Sequence, residues 1–395
     1  MSVRTPLALG LVFALALALG LTGTGHAEPP LQALAREVVG VGQGVLVVAE
    51  DGTVLSAEAV DRAVHPASVT KIATSLALLQ RLGPVHRFTT SVRADGDVAD
   101  GVLHGNLVVE GSGDAFLVNE GAFQILERLH ARGLRTIDGR LQVRGSLLFD
   151  WERDPAGSGL GRFFAGNGGR WTPPPGSPAL RELALAFGNR TIAAGGSATM
   201  LATYRSPPLL AILKALNGYS NNVFHLASDA IGGPSVVTTI ARAAVPAELR
   251  DEIVITNAAG AGTTTRISPR AAVALVNALD QELAKLGHDL TAVLPVSGID
   301  PGTLNGRLLT APAGRGIVVG KTGTYGSEGA SALAGMLHTT RYGKVTFAVL
   351  NRGVAVPEAR RRQDAFVNKL VTATGAVPWS YPNAARPAFD QAVVD

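Results

Sequence analysis

An α/β domain interrupted by an insertion is the fold class that this sequence predicts. Three observations carry that prediction. Strand and helix signals stand at both ends of the chain, the stretch from about Phe88 to Tyr204 changes to short strands and many glycines, and helical texture resumes at Pro207. With 395 residues, 46% of them hydrophobic, the chain has material for a sizeable core in two domains or one large one.

The first residues read as a secretory signal: Arg4, an apolar run from Leu7 to Leu21, then Gly25-His26-Ala27 as a cleavage site. Residues 1–27 are therefore expected to be removed, an uncleaved N-terminal anchor being the lesser alternative, leaving an exported, periplasmic or extracytoplasmic protein that is soluble or loosely associated with the cell wall. The run is short for a bilayer span of about 20 residues. No second long apolar run follows, so no integral membrane span is expected after cleavage.

Val45 to Ala49 and Val54 to Ala57 flank Glu50-Asp51-Gly52, the signature of a β-hairpin. A helix starting near Ser68 follows, with Ile72, Leu76 and Leu79 at helical spacing and Gly83-Pro84 as its stop. Between Phe88 and Tyr204 the pattern predicts strands at Leu107 to Glu110 and Leu141 to Val143, and a helix from about Asn119 to Arg132. Asp154 to Pro178, rich in Gly and Pro, predicts a long loop or lid. Helices are predicted at Pro207 to Leu216, at Asn221 to Ala230, and after the Ser268 N-cap and Pro269 to about Leu286. Three strand-like runs, Ile317 to Thr324, Ala332 to Thr339 and Val345 to Leu350, precede a C-terminal helix from Pro357 to about Ala373. The tail after Val377 shows no pattern.

Composition excludes several classes of function. There is no cysteine, hence no disulfide, thiolate metal site, cysteine nucleophile or lipid-modified cysteine. A net charge of +4 is too small a bias to argue for nucleic acid. The one dense basic run, Arg360-Arg361-Arg362, reads as a solvated helix face. None of the eight histidines forms an H-E-x-x-H pattern, so no metal and no cofactor is implied. Nothing in the sequence specifies an oligomeric state.

The chemistry gathers in three short motifs. Ser68-Val69-Thr70-Lys71 sets a hydroxyl and an amine three residues apart at a helix start, on one face. There unpaired backbone N–H groups suit an oxyanion, and a neutral Lys71 can take the serine proton. Ser220-Asn221-Asn222 lies in a loop between two helices, and Lys321-Thr322-Gly323-Thr324 ends a strand. Each has a bland reading: a chance S-x-x-K on a surface helix, a capping Ser/Asn loop, a strand entering a glycine turn. Their order and contexts together defeat those readings. Asp114 reads as a turn residue, His65 as structural, and Arg307 as a candidate anchor for an anionic substrate.

With these motifs in place, the chain resembles the serine D-alanyl-D-alanine carboxypeptidase/endopeptidases of the class C, low-molecular-mass penicillin-binding proteins, typified by penicillin-binding protein 4. The likeness is carried by PASVTKIATSLALLQRLGPVHRFTT (66–90), GVLHGNLVVEGSGDAFL (101–117), SPPLLAILKALNGYSNN (206–222), LPVSGIDPGTLNGRL (294–308) and GKTGTYG (320–326). The resemblance implies a penicillin-binding/β-lactamase-like transpeptidase fold, an antiparallel sheet flanked by helices. It also implies a discontinuous peptidase domain (28–87 and 204–377), an inserted domain (88–203) and a tail (378–395). The implied roles are nucleophile for Ser68, proton acceptor for Lys71 and proton relay for Ser220. Asn222, Lys321, Thr322, Gly323 and Thr324 are the implied substrate-binding residues. The implied partners are peptidoglycan peptides, with β-lactam antibiotics as covalent inhibitors.

The chain departs from the family pattern in three places. The interval from Ser68 to Ser220 is shorter than in relatives with two inserted domains, so one insert is expected. Asn221 stands where relatives often have Asp. Asn257-Ala258-Ala259-Gly260-Ala261-Gly262 stands where a Gly-Ser-Gly-Leu-Ser-like run is usual. The rival readings are a β-lactamase or esterase on the same scaffold, and a non-catalytic cell-wall binding protein. Rapid penicillin turnover would mark the first. Stem-peptide binding without D-Ala release would mark the second.

Overall fold

The computed structural model describes residues 30–193, 198–219, 222–308, 314–381 and 388–395. The signal segment, Ser220 and Asn221 lie outside the described residues.

Among the described residues, the main sheet has six strands. Its order is Val319–Tyr325, Ala330–Thr339, Gly343–Asn351, Gly44–Val48, Val54–Glu58, with the short strand Ala376–Val377 pairing with Ala330–Thr339. All its pairs are antiparallel. The hairpin of the N-terminal half and the three strands of the C-terminal half thus form one sheet, Val45 lying opposite Val349. Both faces are covered, which accounts for the nearly unbroken burial of Ala330–Thr339 and Gly343–Asn351. On one face Phe347, Val349, Phe366 and Leu370 pack with the C-terminal helix Val356–Thr374. On the other, the helices Lys71–Leu82 and Pro269–Lys285 join the core, the latter started by Ser268 Oγ accepting from the N–H of Ala271 at 3.1 Å.

Residues 89–205 build a second sheet with a core of its own. Its long hairpin, Thr89–Ala99 and Val102–Ser112, backs onto the helix Asn119–Ala131 through Val92, Leu107, Phe123 and Leu126. The Gly/Pro-rich stretch 154–178 differs from the expected loop or lid. It contains the helix Ser158–Phe164, whose Leu160, Phe163 and Phe164 are buried, and Trp171 packs on Phe123 and Phe163. Three apolar side chains on so short a helix leave too little periodicity for sequence to register. The helix Pro234–Ala243 is likewise absent from the sequence reading, because it buries only Val237 and Ala241.

The patternless tail is also put to use. Trp379 stacks on His338 at 3.8 Å and donates from Nε1 to the carbonyl of Ile317, both against the main sheet. Phe389 stacks on Phe116 at 4.9 Å, and Val393–Val394 adds an edge strand beside Thr199–Arg205 of the second sheet. These contacts run between distant segments, which local pattern cannot reveal.

Candidate active site

The segment Ala67–Thr70 is a 3-10 turn that leads directly into the helix Lys71–Leu82. Ala67 adopts φ +48, a left-handed conformation that costs a non-glycine residue about 1–2 kcal/mol. This kink presents Ser68 at the helix start. Ser68 is only 6% exposed, and Lys71 and Lys321 are wholly buried.

Lys71 Nζ lies 2.9 Å from Ser68 Oγ. An ammonium donates across that distance, and a neutral amine receives the serine proton across it. Burial brings the Lys71 ammonium down to about 7. The Phe224 ring, 5.7 Å from Nζ and itself buried, helps exclude water. Lys321 is also brought down to about 7, first by burial and then by the charge of Lys71. Burial is the cause of the low Lys71 value, and the charge of Lys71 in turn acts on Lys321, so both amines resist being protonated together.

The strand Val319–Tyr325 stands at the sheet edge with Lys321 opposite Ala334 and Gly323 opposite Ala332. Gly323 faces the kink: a Cβ there would lie 2.8 Å from the Pro66 carbonyl oxygen and 3.0 Å from the Ser68 nitrogen, so only glycine lets strand and turn approach this closely. Side chains alternate along a strand. Lys321, two residues before, shares the inner face and donates to the carbonyl of Thr322 at 3.0 Å. Thr322 and Thr324 take the outer face, where Thr322 Oγ1 lies 2.5 Å from Thr303 Oγ1 and Thr324 Oγ1 accepts from Arg360 at 2.8 Å.

The third wall comes from the helices Leu209–Gly218 and Val223–Ser228. Asn217 Nδ2 donates to Ser75 Oγ at 3.0 Å, fixing the first of them to the Ser68 helix. The Gly218 carbonyl accepts from the N–H of Thr303 at 2.8 Å. Thr303 therefore ties the end of that helix to the edge strand, a role that sequence reasoning missed although the residue lies in the quoted 294–308 stretch. Asn222 occupies the N-cap of the second helix but its exposed side chain caps nothing, leaving the amide at the surface. Ser220 lies outside the described residues.

The altered loop 257–262 forms the floor. Asn257 Oδ1 accepts from the N–H groups of Ala259 and Ala261, Thr74 Oγ1 donates to the Ala258 carbonyl at 2.6 Å, and Ser68 Oγ lies 3.5 Å from the Ala259 carbonyl. Gly260, at φ +79, lies where a Cβ would be 1.9 Å from the Ala67 carbonyl oxygen. The loop thus seats Ser68 through its backbone and one glycine, so alanines at 258, 259 and 261 do not remove these contacts.

His65 is structural: Nδ1 accepts from the N–H of Ala67, which leaves Nε2–H to donate to the Gly262 carbonyl at 2.7 Å, while the ring stacks on Tyr325. Asp114 is a turn residue, its Oδ1 accepting from the N–H of Phe116. Arg307 is not a free anchor, since its guanidinium pairs with Asp364 at 2.6 Å. Among the described residues, no three His, Asp or Glu side chains gather as a metal site, and no helix is long and apolar enough to cross a membrane.

A serine hydroxyl beside a buried lysine on this fold agrees with comparison to known proteins. The sequence pattern of the D-Ala-D-Ala carboxypeptidase 3 (S13) family matches residues 31–156 and 189–373. The chain belongs to that family. With membership come the serine-peptidase class, D-Ala-D-Ala carboxypeptidase activity and peptidoglycan as substrate. Carboxypeptidase DacB of Mycolicibacterium smegmatis is 30% identical over 400 residues, covering 88% of this chain and 84% of the relative. Two solved structures have the same fold. One is a penicillin G-acylated predatory endopeptidase of Bdellovibrio bacteriovorus in complex with an immunity protein (19% identity, 87% of this chain and 96% of the other, TM-score 0.71). The other is penicillin binding protein 4 of Haemophilus influenzae with a β-lactam (18% identity, 88% and 99%, TM-score 0.65).

Proposed function

We propose that the chain cleaves the terminal D-Ala from peptidoglycan stem peptides through an acyl-enzyme on Ser68, and cleaves cross-bridges by the same steps. The observation that carries this reading is the 2.9 Å contact between Ser68 Oγ and a Lys71 amine that burial brings down to about 7. Neutral Lys71 takes the hydroxyl proton as Oγ attacks the carbonyl carbon of the penultimate D-Ala. Negative charge develops on the carbonyl oxygen and is met by the N–H groups of Ser68 and Thr324. Collapse breaks the C–N bond, with Ser220 relaying the proton from Lys71 to the leaving amine. Water then cleaves the ester with Lys71 again as base. Asn222 donates to the substrate amide, Gly323 lets the substrate backbone lie along the strand, and Thr322 and Thr324 receive the terminal carboxylate. Lys321 is the second lysine of the site, buried and brought down to about 7 as Lys71 is.

In this reading residues 28–87 and 204–377 are the peptidase domain, and 88–203 are an insert that shapes one side of the cleft. The second sheet's own core supports that division, with Phe88, Ala115, Phe116 and Leu148 of the insert joining the core of the peptidase domain. β-Lactams, whose ring carbonyl takes the place of the scissile amide, acylate the same serine. The reading also has the protein exported, with the first 27 residues removed.

The test is product analysis on defined muropeptides. The wild type is expected to release D-Ala from a pentapeptide stem, and Ser68→Ala to release none. Activity that survives in Ser68→Ala, or a wild type that binds stems without releasing D-Ala, contradicts the reading.

A further inference from the structure

The basic run on the C-terminal helix is not uniform. Arg361 and Arg362 both pair with Glu358 on their own helix. Arg360 points elsewhere: Nη2 donates to Thr324 Oγ1 at 2.8 Å, and among the described residues no carboxylate lies against its guanidinium. This exposed cation therefore stands at the edge strand with one of five N–H donors engaged.

The pleat makes that placement informative. Thr322 and Thr324 share the outer face of the strand, whereas Lys321 lies on the inner face, wholly buried and donating to the Thr322 carbonyl. Among the described residues, the cation that touches a threonine of this face is Arg360. Because Thr324 Oγ1 accepts from Arg360, its own O–H remains free to donate, so hydroxyl and guanidinium can address one anion together. A buried Lys321 with its affinity for a proton reduced is a poor second candidate for that charge.

We propose that Arg360 recognises the substrate's terminal carboxylate, ion-pairing with it beside the Thr324 hydroxyl and thereby selecting free C-terminal D-amino acids as leaving groups. This rests on the reading of Ser68 as nucleophile and of the Thr322–Thr324 strand as the carboxylate side of the cleft. It corrects the expectation that the Arg360-Arg361-Arg362 run is only a solvated face.

The experiment compares a synthetic stem pentapeptide ending in D-Ala-D-Ala with its C-terminal amide, following release of D-Ala or D-alaninamide. The wild type is expected to prefer the acid. For Arg360→Gln, kcat/KM on the acid should fall roughly 10- to 100-fold, chiefly through KM, as loss of a charge-assisted contact implies. The amide should change by less than about twofold. Arg360→Lys should recover part of the loss, and Arg361→Gln, whose partner is Glu358, should behave as wild type. Equal losses on acid and amide, an unchanged acid rate, or a wild type without preference for the acid would overturn the role of Arg360 while leaving Ser68 as nucleophile. A wild type that releases neither product would overturn the Ser68 reading as well.

Discussion

Nζ of Lys71 and Oγ of Ser68 are 2.9 Å apart in a pocket that brings the lysine down to about 7. Only the neutral amine can accept the serine proton. The second-order rate of acylation by a labelled penicillin should therefore rise with pH through about 7, falling close to tenfold per unit well below it. Lys71→Ala should lower that rate by about 10²- to 10⁴-fold. A flat profile between pH 5 and 8 would remove Lys71 from the role of base.

The same two lysines make stability depend on pH. Lys71 and Lys321 titrate near 7 when folded, against an ordinary lysine value of 10.5 when unfolded. Between those limits these two lysines bind more protons in the unfolded chain, so their contribution to stability increases as pH rises from 7 towards 10. The slope is up to about 1.4 kcal/mol per pH unit for each lysine. Denaturant unfolding of wild type and Lys321→Met should reveal it, with a shallower slope in the variant. Parallel slopes would contradict the assignment.

Gly260 is pressed against the kink that presents Ser68, so that a Cβ on it would stand only 1.9 Å from the Ala67 carbonyl oxygen. Gly260→Ala is expected to lower unfolding free energy by about 2–4 kcal/mol and to slow acylation. Gly262, also at positive φ but with nothing within 4 Å of a Cβ, is the control. Its alanine variant should lose only about 1–2 kcal/mol from backbone strain and acylate normally. Equal effects of the two substitutions would mean that the floor does not seat the nucleophile.

Thr303 joins Gly218, at the entrance to the Ser220 loop, to the Thr322 hydroxyl. Thr303→Val keeps the shape and the backbone bond but loses the hydroxyl. KM for the stem peptide should increase about 3- to 10-fold with kcat little changed, and Thr303→Ser should restore it. Indistinguishable KM values for the Val and Ser variants would leave Thr303 as packing alone.

The local parts of this site were legible from sequence. A hydroxyl and an amine three apart at a helix start, and Lys-Thr-Gly entering a strand end, are patterns within a few residues. What escaped is non-local. The Ser68 floor is built from the carbonyls of Ala258, Ala259 and Gly262, and backbone oxygens carry no residue-type signal. Thr303 and Arg360 reach the strand from segments whose own patterns are ordinary for a turn and a helix. The tail lacks periodicity because single aromatic contacts, Trp379 on His338 and Phe389 on Phe116, anchor it. How far Lys71 is buried is likewise a property of the assembled fold.

Mass spectrometry of the protein after incubation with labelled penicillin decides whether Ser68 is the acylated residue. One covalent adduct is expected on the wild type, mapped to the peptide containing Ser68 and absent from Ser68→Ala. No adduct on the wild type, or an adduct that persists in Ser68→Ala, would contradict it.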